Sequence, residues 1–137
     1  MNAPTITTNT FCGPAALSII LGKDTAECEK LIKSVRRPSN KPVRGVYLSE
    51  LAAVLEVQGY KVEYQRETHL VGRSLFFSMT MMKEDGLYIF LIPHHFVVIE
   101  KDNAYRYICD NHTKTPINAA TSARLNQVVL DCFKVSK

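Results

Sequence analysis

The chain has 137 residues, of which 46% are hydrophobic and 22% charged. That is ordinary globular composition; it excludes an intrinsically disordered chain and suits one domain, residues 1–137, that needs no disulfide scaffold. Seventeen Lys and Arg against thirteen Asp and Glu give a net charge of +4, too weak a surplus to imply nucleic acid.

Residues 1–6 lack the basic-then-apolar pattern of a secretory signal. No apolar run reaches the ~20 residues of a membrane helix. The first helix is predicted over Cys12-Gly13-Pro14-Ala15-Ala16-Leu17-Ser18-Ile19-Ile20-Leu21. Pro14 fits a first turn, and Gly22 fits the stop. Leu17, Ile20 and Leu21 share a face that Ala16 and Ile19 widen, so this helix should be buried on most sides. Asp24 can cap a second helix, with Glu27 three residues on and Cys28, Leu31, Ile32 and Val35 at helical spacing. Two prolines, Pro38 and Pro42, make the next segment a loop. Ser49 can cap a third helix bearing Leu51, Ala52, Val54 and Leu55, ended by Gly59.

Residues 60–66 alternate apolar and polar and read as a strand with one wet face. The run 75–82 is predicted as a fourth helix, although it is too apolar to show a clear period. Strands follow over 87–92, 95–101 and 104–110, the last two joined by Asp102-Asn103 as a two-residue turn. A polar loop covers 111–115, a short helix 123–128, and a closing strand 129–135. Helices first and strands later define an α+β fold, N-terminal helices packed on an antiparallel β-sheet.

Four cysteines, Cys12, Cys28, Cys109 and Cys132, show no Cys-x-x-Cys spacing. Reduced thiols in a cytoplasmic setting are expected, with no structural zinc or redox pair. Cys12 stands apart because it opens a helix, where backbone N–H groups and the dipole favour a thiolate and could hold an oxyanion. Gly13 beside it would let backbone approach a substrate. The competing reading is a small buried apolar residue.

A cysteine nucleophile needs a base, and His95 is the candidate. With an Asp102-Asn103 turn, Lys101 faces Ala104 and His95 lies opposite Asp110, on one face with Cβ atoms ~5 Å apart. A carboxylate there fixes the imidazole tautomer and stabilises its cation. A turn one residue longer or shorter would put Asn111 or Cys109 opposite instead, and Asn111 could also orient the ring. His95 and Asp110 also have ordinary readings, as a core histidine and a turn residue. His94 belongs on the other side of the strand, His69 and His112 in polar loops, and Cys28, Cys109 and Cys132 in the core. Adjacent strand residues diverge, so His94 and His95 do not suit one metal ion. The basic run Lys30, Lys33, Arg36, Arg37, Lys41 and Arg44 has no glycine-rich loop and reads as a solvated surface.

Two segments resemble the signatures of papain-like cysteine peptidases: Cys-Gly-Pro-Ala-Ala-Leu at residues 12–17 and His-Phe-Val-Val at residues 95–98. The nearest branch is the bacteriocin-type leader peptidases, which cut after double-glycine leaders. Residues 46–51 through Gly59-Tyr60 are similar to that branch's middle helix, and Asp110 falls where its orienting Asp follows the histidine strand. The resemblance implies a papain-like fold and cleavage of a peptide or amide bond without cofactor or metal. Cys12 would be the nucleophile, His95 the base and then acid, and Asp110 the orienter. The family's oxyanion glutamine stands six residues before the cysteine, where this chain has Ile6; Asn9, Thr8 or Thr10 would have to substitute. The expected partner is a peptide or protein substrate. Acyl transfer or deamidation on the same residues, and a non-catalytic domain that binds an extended peptide, are the alternatives.

Overall fold

The computed structural model describes residues 1–7, 11–37, 43, 45–66, 69–113 and 115–137. Helices α1 (Cys12–Leu21), α2 (Thr25–Ser34) and α3 (Leu48–Val57) precede strand β1 (Lys61–Tyr64) and helix α4 (Leu75–Met81). Strands β2 (Gly86–Ile92), β3 (His95–Asp102), β4 (Tyr105–Cys109), β5 (Ile117–Asn118) and β6 (Asp131–Ser136) follow, with a 3-10 turn at Ala119–Thr121. The fold is α+β, and its antiparallel sheet runs β1-β6-β2-β3-β4-β5. Among the described residues no helix is long and apolar enough to cross a membrane.

Both faces of the sheet are covered, which explains the unbroken apolar run of β2. Ile89, Phe96, Val98, Phe133 and Val135 pack with α1, α2 and α3. Tyr88, Phe90, Ile92, Val97 and Ile99 pack with Leu75 and Met79 of α4 on the other side. A strand buried on two faces loses its period-2 signal. Edge strand β1 keeps its own, with Lys61 and Glu63 exposed and Val62 and Tyr64 half-buried.

Helix α1 is buried from Gly13 to Ile20 and stops at Gly22, whose φ of 70° is the left-handed conformation a C-cap uses. Asp24 caps α2 by accepting from the Glu27 N–H at 2.8 Å. Helix α3 begins earlier than a Ser49 cap would allow. Tyr47 is its N-cap residue, and Glu50 Oε1 accepts the Tyr47 N–H at 2.8 Å. The same carboxylate holds Arg36 through Nε at 2.6 Å and Nη2 at 2.8 Å, and Nη2 also donates to Gly45 O at 2.8 Å. Arg36 of the basic run is thus spent on fixing the loop before α3, and Lys33 pairs with Glu29; Lys41 and Arg44 lie outside the described residues. The helix expected over 123–128 is instead a turn, tied down where Leu75 and Phe76 of α4 donate to Gln127 O and Leu125 O.

That fixed loop sets Val46 against the start of α1. A Cβ built on Gly13 would lie 2.6 Å from Val46 Cγ2 and 3.0 Å from Val46 Cβ. Packing against Val46 therefore demands a glycine at position 13, whatever a substrate requires. Gly13→Ala should destabilise the fold by about 1–3 kcal/mol. Val46→Gly in the same chain should restore much of that loss, because it removes the atoms in the way. Urea midpoints of the four proteins of this double-mutant cycle check the coupling; additive effects would refute it.

Candidate active site

Cys12 is the first residue of α1. Phe11 before it is extended and supplies no side-chain cap. The first-turn N–H groups consequently lack intrahelical partners, and their partial positive charge falls at the thiol. Cys12 is half-buried, whereas Cys28, Cys109 and Cys132 are fully buried.

His95 arrives from the sheet. Pro93 and His94 make the turn from β2 to β3, with Ile92 paired to His95. His94 takes φ 58°, as the second central residue of a type II turn does after proline. It is exposed in that turn, while His95 opens β3 and is buried. His112 and His69 are exposed as well.

The register between β3 and β4 differs from expectation. Asp102 pairs with Tyr105, so the two-residue turn is Asn103-Ala104 rather than Asp102-Asn103, with Asn103 at φ 53°. Every pairing moves by two, and the ladder ends at Val98 with Cys109. Continued past that end, it sets Asp110 beside Val97 and His112 beside His95. A shift of two preserves the face. Asp110 therefore stays on the His95 side, reaching it diagonally, and His95 Nε2 donates to Asp110 Oδ2 at 2.6 Å. The His112 ring sits 5.4 Å from the His95 ring.

Asp110 is held from its other side too. Its Oδ1 accepts from His112 N at 2.8 Å and Thr113 N at 2.9 Å, and its own N–H donates to Thr113 Oγ1 at 3.0 Å. This small turn exists because β4 stops at Cys109. With Nε2 taken by Asp110, Nδ1 is the nitrogen left for Cys12, whose thiol is hydrogen-bonded to the His95 ring. The Phe96 N–H donates to the same sulfur, a contribution no sequence pattern announces.

Burial alone would raise the Cys12 pKa. The His95 hydrogen bond, the Phe96 N–H and the charge of His95 outweigh it and lower the pKa below the ordinary thiol value. Burial would likewise lower the His95 pKa, but the hydrogen bonds to Asp110 and Cys12 raise it. Asp110 resists its own burial through His95 and the Thr113 and His112 N–H groups, and is held down at about 2. All three shifts favour a thiolate, an imidazolium and a carboxylate in line. The other thiols go the opposite way, burial pushing Cys28 and Cys132 up to about 12 and Cys109 upward.

The structure thus brings Cys12, His95, Asp110 and Gly13 together. Asn111 is buried next to Asp110, but Asp110 is the residue that holds the ring. Asn9 lies outside the described residues, as do Thr8 and Thr10. Ile6 is half-buried. Arg124, which sequence reasoning missed, places Nε 4.0 Å from Asp110 Oδ2. It is a lone arginine in a turn, with no periodicity or motif to mark it.

The architecture is the α+β fold found in solved peptidase domains. Two solved structures carry that likeness. One is the peptidase domain of Streptococcus ComA, a bifunctional ABC transporter of a quorum-sensing pathway. It is 11% identical, with a TM-score of 0.59 over 99% of this chain and 98% of that one. The other is a double-glycine motif protease from an AMS/PCAT transporter in complex with a leader peptide, 16% identical, with a TM-score of 0.56 over 98% and 91%. No family model matches the sequence, and no curated protein does.

Proposed function

We propose that this chain is one domain acting as a cysteine peptidase-like hydrolase that cleaves a peptide or other amide bond. The observation that carries the proposal is the hydrogen-bonded line from the Cys12 thiol through His95 to Asp110. Cys12 sulfur attacks the carbonyl carbon, and the thiol proton passes through His95 to the departing amine. Water, losing a proton to His95, then hydrolyses the thioester and frees the acid. Asp110 keeps the ring oriented and its cation stable. The N–H groups of Cys12 and Gly13, at the start of α1, would face the oxyanion. The same acyl-enzyme admits transfer to an amine or deamidation of glutamine, according to the acceptor.

A peptide partner suits this reading, since one similar protease is solved with a leader peptide bound. Four cysteines without a disulfide among the described residues suit a reducing, cytoplasmic setting. The second reading, a domain that binds peptide without cutting it, draws on Ile6 at the oxyanion-glutamine position. Losing one such donor typically costs about 10²–10³ in rate.

Thiol chemistry separates the two. At pH 6 an ordinary thiol is scarcely ionised. Iodoacetamide should modify Cys12 well before the buried Cys28, Cys109 and Cys132, as peptide mass mapping would show, and His95→Ala should slow the labelling of Cys12 itself. Equal labelling of all four would exclude the hydrolase.

A further inference from the structure

We propose that the recess beside Asp110 is a carboxylate-binding subsite for the leaving half of the substrate, an inference that rests on the hydrolase reading for its place in the reaction. The recess has a volume of about 320 Å³ and is lined by Asp110, His112, Thr113, Ser122 and Arg124, among others. Its position follows from the imidazole. The acyl half stays on Cys12 sulfur, whereas the amine half departs toward the ring that protonates it. Asp110 holds the ring at Nε2, away from the nitrogen left to the thiol. The amine takes its proton from Nδ1, and the half attached to it leaves past the edge of the ring, toward the recess that starts at Asp110 and His112; the His112 ring, 5.4 Å from that of His95, forms part of its wall.

Arg124 supplies the recognition. Ser122 Oγ accepts its backbone N–H at 3.1 Å, fixing the turn that carries it, and its side chain is 28% exposed. Nε stands 4.0 Å from Asp110 Oδ2, beyond hydrogen-bond length. Asp110 is already satisfied, with Oδ2 accepting from His95 and Oδ1 from the His112 and Thr113 N–H groups. Among the described residues the guanidinium makes no hydrogen bond. A half-buried guanidinium on an open recess with its donors unspent matches a carboxylate, which it can grip with two parallel N–H groups. By way of Asp110 Oδ2, Arg124 Nε is within about 7 Å of His95 Nε2. The cut bond lies at Nδ1, so the width of the ring is added to that distance, and at ~3.3–3.6 Å per extended residue the whole is the reach of about two to three residues beyond the cut bond. A chain-terminal carboxylate there, or an acidic side chain just after the cut, offers the same group.

Three probes decide, each titrated into the ¹⁵N-labelled protein while the Arg124 Nε–H and the His112 amide are followed by NMR: Ala-Ala, Ala-Ala-amide and Glu-Ala-amide. At least one carboxylate probe should bind about 10-fold more tightly than Ala-Ala-amide. A preference for Ala-Ala identifies a chain terminus, and one for Glu-Ala-amide an acidic side chain. Arg124→Gln should erase the difference, and Arg124→Lys should keep part of it. Equal binding of all three probes, or a preference that survives Arg124→Gln, overturns the subsite. Binding is read without turnover. A chain that cleaves nothing yet shows the preference loses the hydrolase reading alone, and one that cleaves without the preference loses the subsite alone.

Discussion

Cys12→Ala should abolish peptide cleavage, and His95→Ala should lower kcat/KM by about 10²–10⁴, the usual contribution of a positioned acid–base group. The thiol and ring share one hydrogen bond, so they act as a unit. The double variant should accordingly be no slower than Cys12→Ala alone, since residues of one catalytic unit are strongly non-additive. The pH profile should be bell-shaped. Its acid limb reflects a Cys12 pKa below the ordinary thiol value, and its alkaline limb a His95 pKa above the ordinary imidazole value. Cys12→Ala deletes one half-buried sulfur, so its melting temperature should stay close to that of the parent. A folded Cys12→Ala protein that still cleaves would remove Cys12 from the mechanism.

The parts of this site set by local chemistry were readable in the sequence. Cys12-Gly13-Pro14 can start a helix and Gly22 can stop it, so the thiol's place at a helix start needed no tertiary information. His95 on a strand and Asp110 on its face followed from alternation. The turn between them was misplaced by one residue, because Asp102-Asn103 and Asn103-Ala104 are both acceptable and the choice depends on Asn103 taking φ 53°. That error moved every pairing by two and spared the face, which is why His95 and Asp110 still meet in spite of the wrong register.

What stayed illegible depends on contacts distant in sequence. Strand β6 enters between β1 and β2, and nothing local says that a closing strand should pair there. The start of α3 is set by Glu50 gripping Arg36, fourteen positions earlier, so the Ser49 cap lost to a tertiary tie. Residues 123–128 have adequate helix propensity, but their carbonyls are spent on the N–H groups that open α4. Val46 on Gly13 and Arg124 near Asp110 belong to the same class: each acts through a neighbour that only folding supplies.

Asp110→Ala should be the most destabilising single change at the site, by about 3–5 kcal/mol, because it leaves a buried imidazolium without its carboxylate. It also strands the His112 and Thr113 N–H groups that Oδ1 accepts. Asp110→Asn should cost less, about 1–3 kcal/mol for one mismatched buried polar group. With the amide oxygen toward the two backbone N–H groups, its NH₂ meets Nε2–H; flipped, the NH₂ meets the backbone instead. Linkage sets the pH course. Asp110 is lowered from 3.8 to about 2 on folding, so its stabilisation, about 2 kcal/mol, is present above pH 3.8 and is lost as pH falls toward 2. His95 is raised on folding, so its share is complete below the ordinary histidine value of 6.5 and is lost as pH climbs through the folded value. The two shifts largely describe one interaction and are not summed. Urea midpoints of parent and Asp110→Ala should therefore differ most near pH 5 and converge on both sides. A difference that stayed constant from pH 2.5 to 9 would mean that Asp110 supports the turn at residues 110–113 without an electrostatic bond to His95.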